Sequence, residues 1–248
     1  LFYILRVRTI LEQCLVGDRV NEAIDWIECW LAWKFTAYQK EFLDACNSNN
    51  RVAGIWCRQS GKSTTCGQYS VYKALTNYDY KILITAPTQR QSSELFSKIR
   101  DIVENNAMIK KYVKRMTDSI VVFHNDSVIR CLPCGPNGNT IRGYTANLII
   151  VEEASLIKDS IVNTVIMPMI ASTGGQMIKI GTPFGKNHFY RSCVEDEIYS
   201  VVHVDWTKAV RDGRITQAFI DEQDNELSQT EFNTEYGALF INNNSAFF

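Results

Sequence analysis

Three short stretches carry side chains that could do chemistry together. The first is Arg58-Gln59-Ser60-Gly61-Lys62-Ser63-Thr64. A glycine here lets backbone N–H groups approach anionic oxygens, a lysine supplies a cation for the β and γ phosphates, and a serine hydroxyl can ligate Mg²⁺. A helix starting near Ser63 adds the positive end of its dipole to the same anion. The spacing is unusual, because the position five before Gly61, where a phosphate loop normally has glycine, is Trp56, and Gly54 lies out of register. A bare Gly-Lys-Ser also occurs by chance in ordinary loops, so the other two stretches carry weight.

The second stretch is Leu148-Ile149-Ile150-Val151-Glu152-Glu153, an apolar strand that delivers two carboxylates at its C-terminal edge. That edge is where open α/β sheets bind their ligands. Side-chain alternation sends Glu152 and Glu153 in different directions, which suits two jobs. Glu152 would hold Mg²⁺, directly or through water, and Glu153 would orient and deprotonate an attacking water. The third stretch, Gln176 to Pro183, is another strand closed by a polar turn, from which Thr182 could reach a γ-phosphate or the water. His188 follows, but with three histidines and no pairing pattern it reads as structural or as a surface residue.

The elements that must position these groups follow from periodicity. Val52 to Trp56 is an apolar run that suits a buried strand, and Thr65 to Leu75 is helix-compatible. Lys81 to Pro87 reads as a buried parallel strand and Gln91 to Glu104 as a helix. Ser119 to Phe123 and Val128 to Leu132 read as a hairpin whose turn, His124 to Ser127, is expected to be solvated. Gly135 to Thr140 is a loop by composition, leading to Ile141-Arg142-Gly143-Tyr144. Strands alternating with helices predict an α/β fold with a mainly parallel sheet covered on both faces. Val201 to Trp206 adds a strand, and Thr216 to Leu227 and Thr230 to Tyr236 are helical. Leu1 to Lys34 is also helical, with a break at Gly17-Asp18, and Trp26, Trp30 and Trp33 form one apolar stripe. Phe35 to Leu43 is a short helix in which Gln39 could read an adenine edge through its amide, with Tyr38 or a neighbour on the ring.

Composition bounds these readings. The chain has 248 residues with 46% hydrophobic content, enough for one sizeable α/β domain with small additions. Its 26 Lys and Arg against 27 Asp and Glu give a net charge of -1, so any nucleic-acid contact must be a local patch. Eight cysteines are scattered without the spacing of a secreted scaffold and read as reduced and mostly buried. Cys131 and Cys134 have metal-knuckle spacing, but no second pair follows, so a structural role is expected. Arg6 and Arg8 interrupt the apolar N-terminus, leaving no run that would cross a bilayer, and an intracellular protein is expected.

As a set, these motifs resemble the ATPase domain of the large terminase subunit, the DNA-packaging motor of tailed viruses, from about Tyr38 to Phe248. Tyr38-Gln39 resembles the adenine-reading element, and Arg58 to Ser63 resembles that family's deviant phosphate loop, which accounts for the missing glycine. Arg142-Gly143 and the acidic strand have their counterparts there, and Gly181 to Tyr190 is similar to the coupling motif, in which a threonine senses the γ-phosphate. One departure is that the metal-binding acid is usually aspartate, whereas here it is Glu152.

The resemblance implies a P-loop NTPase fold of the ASCE type that uses ATP and Mg²⁺. Tyr38, Gln39 and Arg58 to Thr64 would bind the nucleotide, Ser63 and Glu152 the metal, and Glu153, Arg58, Thr182 and Arg142 would be catalytic. Arg142 is the candidate arginine finger for a neighbouring subunit, worth ~10³-fold or more in rate, with Arg58 acting in cis as its competitor. Implied partners are double-stranded DNA, a portal protein, a small terminase subunit and further copies in a ring, the isolated domain being a monomer without membrane contact. The implied location is the host cytoplasm, with transient docking on the procapsid. Expected domains are an N-terminal helical lid segment over 1–35, the ATPase core over 36–210, C-terminal helices packing with the lid over 211–241, and over 242–248 the start of a linker to a nuclease domain absent from the chain. The rival readings are a DNA helicase or other translocase core and a non-catalytic nucleotide-binding module. A helicase of the commonest type needs a second core domain, and the non-catalytic module would lack an acid such as Glu153.

Overall fold

The computed structural model describes residues 22–241. Among them, one sheet contains β1 (Arg51–Trp56), β2 (Lys81–Ala86), β3 (Val113–Met116), β4 (Ile120–Phe123), β5 (Val128–Pro133), β6 (Leu148–Glu152), β7 (Gln176–Gly181) and β8 (Ser200–Val204). The spatial order is β3-β4-β5-β2-β6-β7-β1-β8. From β5 to β8 all neighbours are parallel, and β4 and β3 extend the sheet antiparallel. The central strands are continuous apolar runs because both faces are covered. In β1, Val52 and Trp56 enter one layer while Ala53 and Ile55 enter the other.

The first layer holds the helices Glu22–Leu31, Ala37–Ser48, Lys62–Thr76 and Gln89–Glu104. The second holds a helical segment spanning residues 159–170, with π and 3₁₀ turns, and the helices His188–Val194, Gln217–Glu226 and Gln229–Glu235. The helices start where the sequence supplies caps: Thr216 Oγ1 accepts from Phe219 N, and Ser228 forms a capping box with Glu231. The parallel order puts the C-terminal ends of β6, β7 and β1 side by side, so the acids, Thr182 and the Gly-Lys-Ser loop share one rim.

Four expectations need correction or fall outside this description. The hairpin turn is solvated at His124 and Asp126 only: Asn125 and Ser127 are buried, and Asn125 Nδ2 donates to Ala74 O at 2.8 Å and Asn77 O at 2.6 Å. The tryptophan stripe stops short, because the helix ends at Leu31 and Ala32 takes φ +48°, which carries Trp33 off the Trp26–Trp30 stack. Glu22–Leu31 does not pack with the C-terminal helices, since Ala23, Trp26 and Ile27 lie in the first layer and Ile220 and Phe232 in the second. The remainder of the expected lid, residues 1–21 with Cys14, and the expected linker from Asn242 lie outside the described residues. Cys46, Cys57, Cys66, Cys131 and Cys134 are buried free thiols, and no metal cluster forms among the described residues.

Candidate active site

Trp56 closes β1 with its ring in the core, packed edge-on against Tyr38 and Phe42 at centroid distances of 5.2 Å each. An extended residue with its side chain turned away from the rim needs no glycine, which is why the loop tolerates tryptophan there. The left-handed backbone falls instead on Gln59 (φ +60°) and Gly61 (φ +93°). Gly61 suits that left-handed backbone, which other residues rarely adopt, and Arg214 Nη2 and Gln39 Nε2 lie 2.8 and 2.9 Å from where a Cβ would stand. Trp56→Gly would restore the usual phosphate-loop spacing, yet it should lower stability by about 3–5 kcal/mol through the cavity it leaves. A urea unfolding midpoint equal to that of the wild type would contradict this anchoring role.

The helix Lys62–Thr76 begins at Gly61 without a side-chain cap, leaving its first N–H groups for an anion. Lys62 Nζ donates to Cys57 O at 3.1 Å and Trp56 O at 3.4 Å, folded back on the loop's own carbonyls. Ser60 Oγ donates to Cys57 O at 2.7 Å, and Tyr38 OH to Ser60 O at 2.8 Å. Tyr38 and Gln39 therefore brace the loop from behind. Both are buried, Gln39 Nε2 donates to Thr65 Oγ1 at 3.0 Å, and its Oε1 accepts from Thr36 N at 3.0 Å. These contacts use one N–H and one oxygen lone pair of the Gln39 amide and hold it beside the loop.

Glu152 is 5% exposed at the end of β6 and accepts a hydrogen bond from Ser63 Oγ. Burial pushes its carboxyl up to about 7, the Ser63 hydrogen bond opposes this, and the Glu153 carboxylate adds to the rise. This pair of hard oxygen donors fits Mg²⁺, and a cation there would offset the burial of charge. Glu153 takes φ +48° and ψ +46°, a strained conformation for a non-glycine residue that costs on the order of 1–3 kcal/mol. Gly181 makes room for it, since a Cβ there would meet Glu153 Cα at 3.2 Å and Ala154 N at 3.1 Å. Glu153 lines the cleft, and Thr182 Oγ1 donates to its Oε2 at 3.5 Å.

Arg58, Gln59, Gly61, Lys62, Ser63 and Thr64 line a cleft of about 570 Å³, with Glu153 and Thr182 among the residues lining it as well. Arg58 is held by Glu235, with Nε 2.5 Å from Oε2 and Nη2 3.2 Å from Oε1, and its backbone N–H donates to Glu235 O at 3.0 Å. Arg142 is exposed between β5 and β6 and does not line this cleft. Arg90, Lys98, Arg214 and Glu235 do line it, and sequence reasoning missed all four. Arg214 and Glu235 arrive from 150 or more residues after the loop, and no local motif marks them. His188 has the structural role expected of it: burial drives its imidazole down to about 4, and Nε2 lies 3.1 Å from Ile157 O.

A Gly-Lys-Ser loop after one parallel strand, an acidic strand separated from it by a further strand, and a polar turn on that intervening strand together define a P-loop NTPase of the ASCE type. Residues 56–248 match the family described as terminase large subunit, T4likevirus-type, N-terminal. The chain belongs to that family. The large terminase subunit of Thermus virus P23-45 is 26% identical over 159 residues, covering 58% of this chain and 33% of that protein. That of Thermus phage G20c is 25% identical over the same extent, so the chain matches about a third of the length of these curated relatives. In fold it resembles the large terminase ATPase domain of Thermus phage P74-26, with TM-score 0.74 and 20% identity, covering 88% of this chain and 98% of that one. The large terminase of bacteriophage HK97 gives TM-score 0.72 at 15% identity, covering 88% and 54%.

Proposed function

We propose that this chain is a Mg²⁺-dependent ATP hydrolase and the motor domain of a large terminase, driving double-stranded DNA into a procapsid. The observation that carries the reading is the uncapped helix start at Gly61-Lys62-Ser63 facing Glu153 and Thr182 across one cleft. Family membership supports it, and a further fold relative, the large terminase from a thermophilic bacteriophage, is described in complex with ADP and with ATP-gamma-S.

In this reading Lys62 exchanges the carbonyls of Trp56 and Cys57 for phosphate oxygens, and the free N–H groups after Gly61 hold the same anion. Ser63 and Glu152 would hold Mg²⁺, which would supply charge neutralisation for the phosphates. Glu153 orients the attacking water and takes its proton. Thr182, within reach of Glu153, senses whether the γ-phosphate is present. Arg214, beside Gly61, adds a cation from the C-terminal segment.

Double-stranded DNA, a portal protein, a small terminase subunit and further copies of this chain in a ring are the proposed partners, with action in the host cytoplasm at the procapsid. Among the described residues no helix is long and apolar enough to cross a membrane.

The test is ATP binding and phosphate release by wild type and Lys62→Ala. Losing one charge-assisted contact of about 3 kcal/mol should weaken ATP binding about 100-fold. Equal affinity in the two proteins would remove the phosphate-loop assignment.

A further inference from the structure

The two layers do not cover the sheet evenly. On β4 and β5, Val121, Phe123, Ile129 and Cys131 face the first layer and are buried in it. The alternate residues Ile120, Val122, Val128 and Arg130 face the other way and stay only partly buried, because on these strands the second layer packs against Leu132 alone. Arg115 of β3 lies opposite Val122 and shares this bare face. Arg130 stands over the Tyr144 ring at 5.4 Å, which joins the face to the exposed loop carrying Arg142. Tyr144 is itself 37% exposed.

Charge of the opposite sign collects near the other end of the chain, where no lysine or arginine follows Arg214. The helix Gln217–Glu226 buries only Ile220 and exposes Asp221, Glu222, Asp224 and Glu226. Among the described residues, neither these acids nor Arg115, Arg130 and Arg142 form an ion pair. The acidic helix stands next to the phosphate cleft, since its Gln223 shares a groove of about 270 Å³ with Arg58 and Glu235, which line the cleft as well. On the rim of the cleft, Leu156 and Phe184 are 50% and 62% exposed. Neither can hold a phosphate.

We propose that the bare face of β3, β4 and β5 docks on the helix Gln217–Glu226 of a second copy of this chain, resting on the reading above in which copies act together. The contact joins two different surfaces of one chain, so it is head-to-tail and propagates from copy to copy. Arg115 and Arg130 meet the acids, and Tyr144 meets the apolar rim formed by Leu156 and Phe184. Arginine and tyrosine set among aliphatic side chains have the composition of a protein interface. A DNA duplex is the other partner a basic face could take, but a phosphate backbone rewards rows of cations, and here Val122 and Val128 lie between the two arginines. The complementary acids on the same chain favour the second copy.

The test is sedimentation of the whole chain with Mg²⁺ and ATP-gamma-S over a range of protein and salt concentrations. The wild type should associate at high protein concentration, and less so as salt rises. Arg115→Glu combined with Arg130→Glu should weaken association at least about 10-fold, and Glu222→Lys combined with Asp224→Lys should do the same. Mixed together, the two reversed proteins should associate again, because the reversed face of one meets the reversed helix of the other; misfolded variants would not rescue each other. A wild type that stays monomeric at every concentration, or reversed variants that associate as it does, overturns the proposal. So does a double arginine variant that loses binding to a short DNA duplex while its self-association is unchanged, since the face would then be a nucleic-acid surface. Calorimetry with ATP-gamma-S on the same samples keeps the two readings apart: association without nucleotide binding sinks the ATP hydrolase reading and leaves the contact standing.

Discussion

Glu153→Gln should abolish turnover while leaving ATP binding near that of the wild type. Glutamine keeps the size and the hydrogen bond available to Thr182 Oγ1 but cannot accept the proton of the attacking water. Loss of a general base lowers the rate by about 10²–10⁴-fold. Affinity should hold, because the groups assigned to the phosphates, Lys62 and the N–H groups at the helix start, belong to another strand's loop. Single-turnover hydrolysis together with calorimetry separates the two effects. A variant that hydrolyses at the wild-type rate would move the catalytic base elsewhere, and one that loses ATP binding would show that Glu153 shapes the phosphate site instead of acting on water.

The second large effect is expected at Arg142. Its side chain is exposed and away from the cleft of its own chain, so it cannot stabilise charge there without a change of loop conformation. An arginine supplied to a neighbouring copy is worth about 10³–10⁵-fold in rate. Arg142→Ala should therefore leave the dilute protein's basal ATPase and nucleotide affinity unchanged and remove the rise in rate per subunit at high protein concentration or on assembled procapsids. If the concentration-dependent rise persists in Arg142→Ala and Arg58→Ala lowers the rate equally at every protein concentration, the finger acts in cis from the loop.

The chemistry-bearing rim was legible in the sequence because each piece is local. Gly61-Lys62-Ser63 after an apolar run, paired acids closing β6 and Thr182 closing β7 need only a strand and its next few residues to be read. Their meeting at one rim follows from the parallel order. What could not be read depends on contacts between distant segments. Gln39 has the composition of a base reader, and only the fold reveals that Thr65 and Thr36 engage its amide. Asn125 sits in a polar turn, yet carbonyls at the end of the helix Lys62–Thr76 bury it. The helical segment over residues 159–170 does carry apolar residues at helical spacing, Ile161, Val162, Val165, Ile166, Met169 and Ile170, all buried in the second layer; what the sequence does not show is that its turns change pitch between α, π and 3₁₀. Arg214 reaches Gly61 through tertiary packing alone.

In the proposed reading, with Arg58 among the phosphate-binding residues, its pairing with Glu235 makes phosphate recruitment an exchange between two anions. One is internal and covalently part of the helix Gln229–Glu235, and the other arrives with the nucleotide. An exposed ion pair is worth at most about 1 kcal/mol, so the swap meets little resistance. By reciprocity, whatever the helix gains by keeping Arg58 is withheld from the ligand, and a load that pulls the helix away lends the same amount to nucleotide affinity. On that reading, tension on the C-terminal segment and occupancy of the cleft would be readable from one another through a single guanidinium.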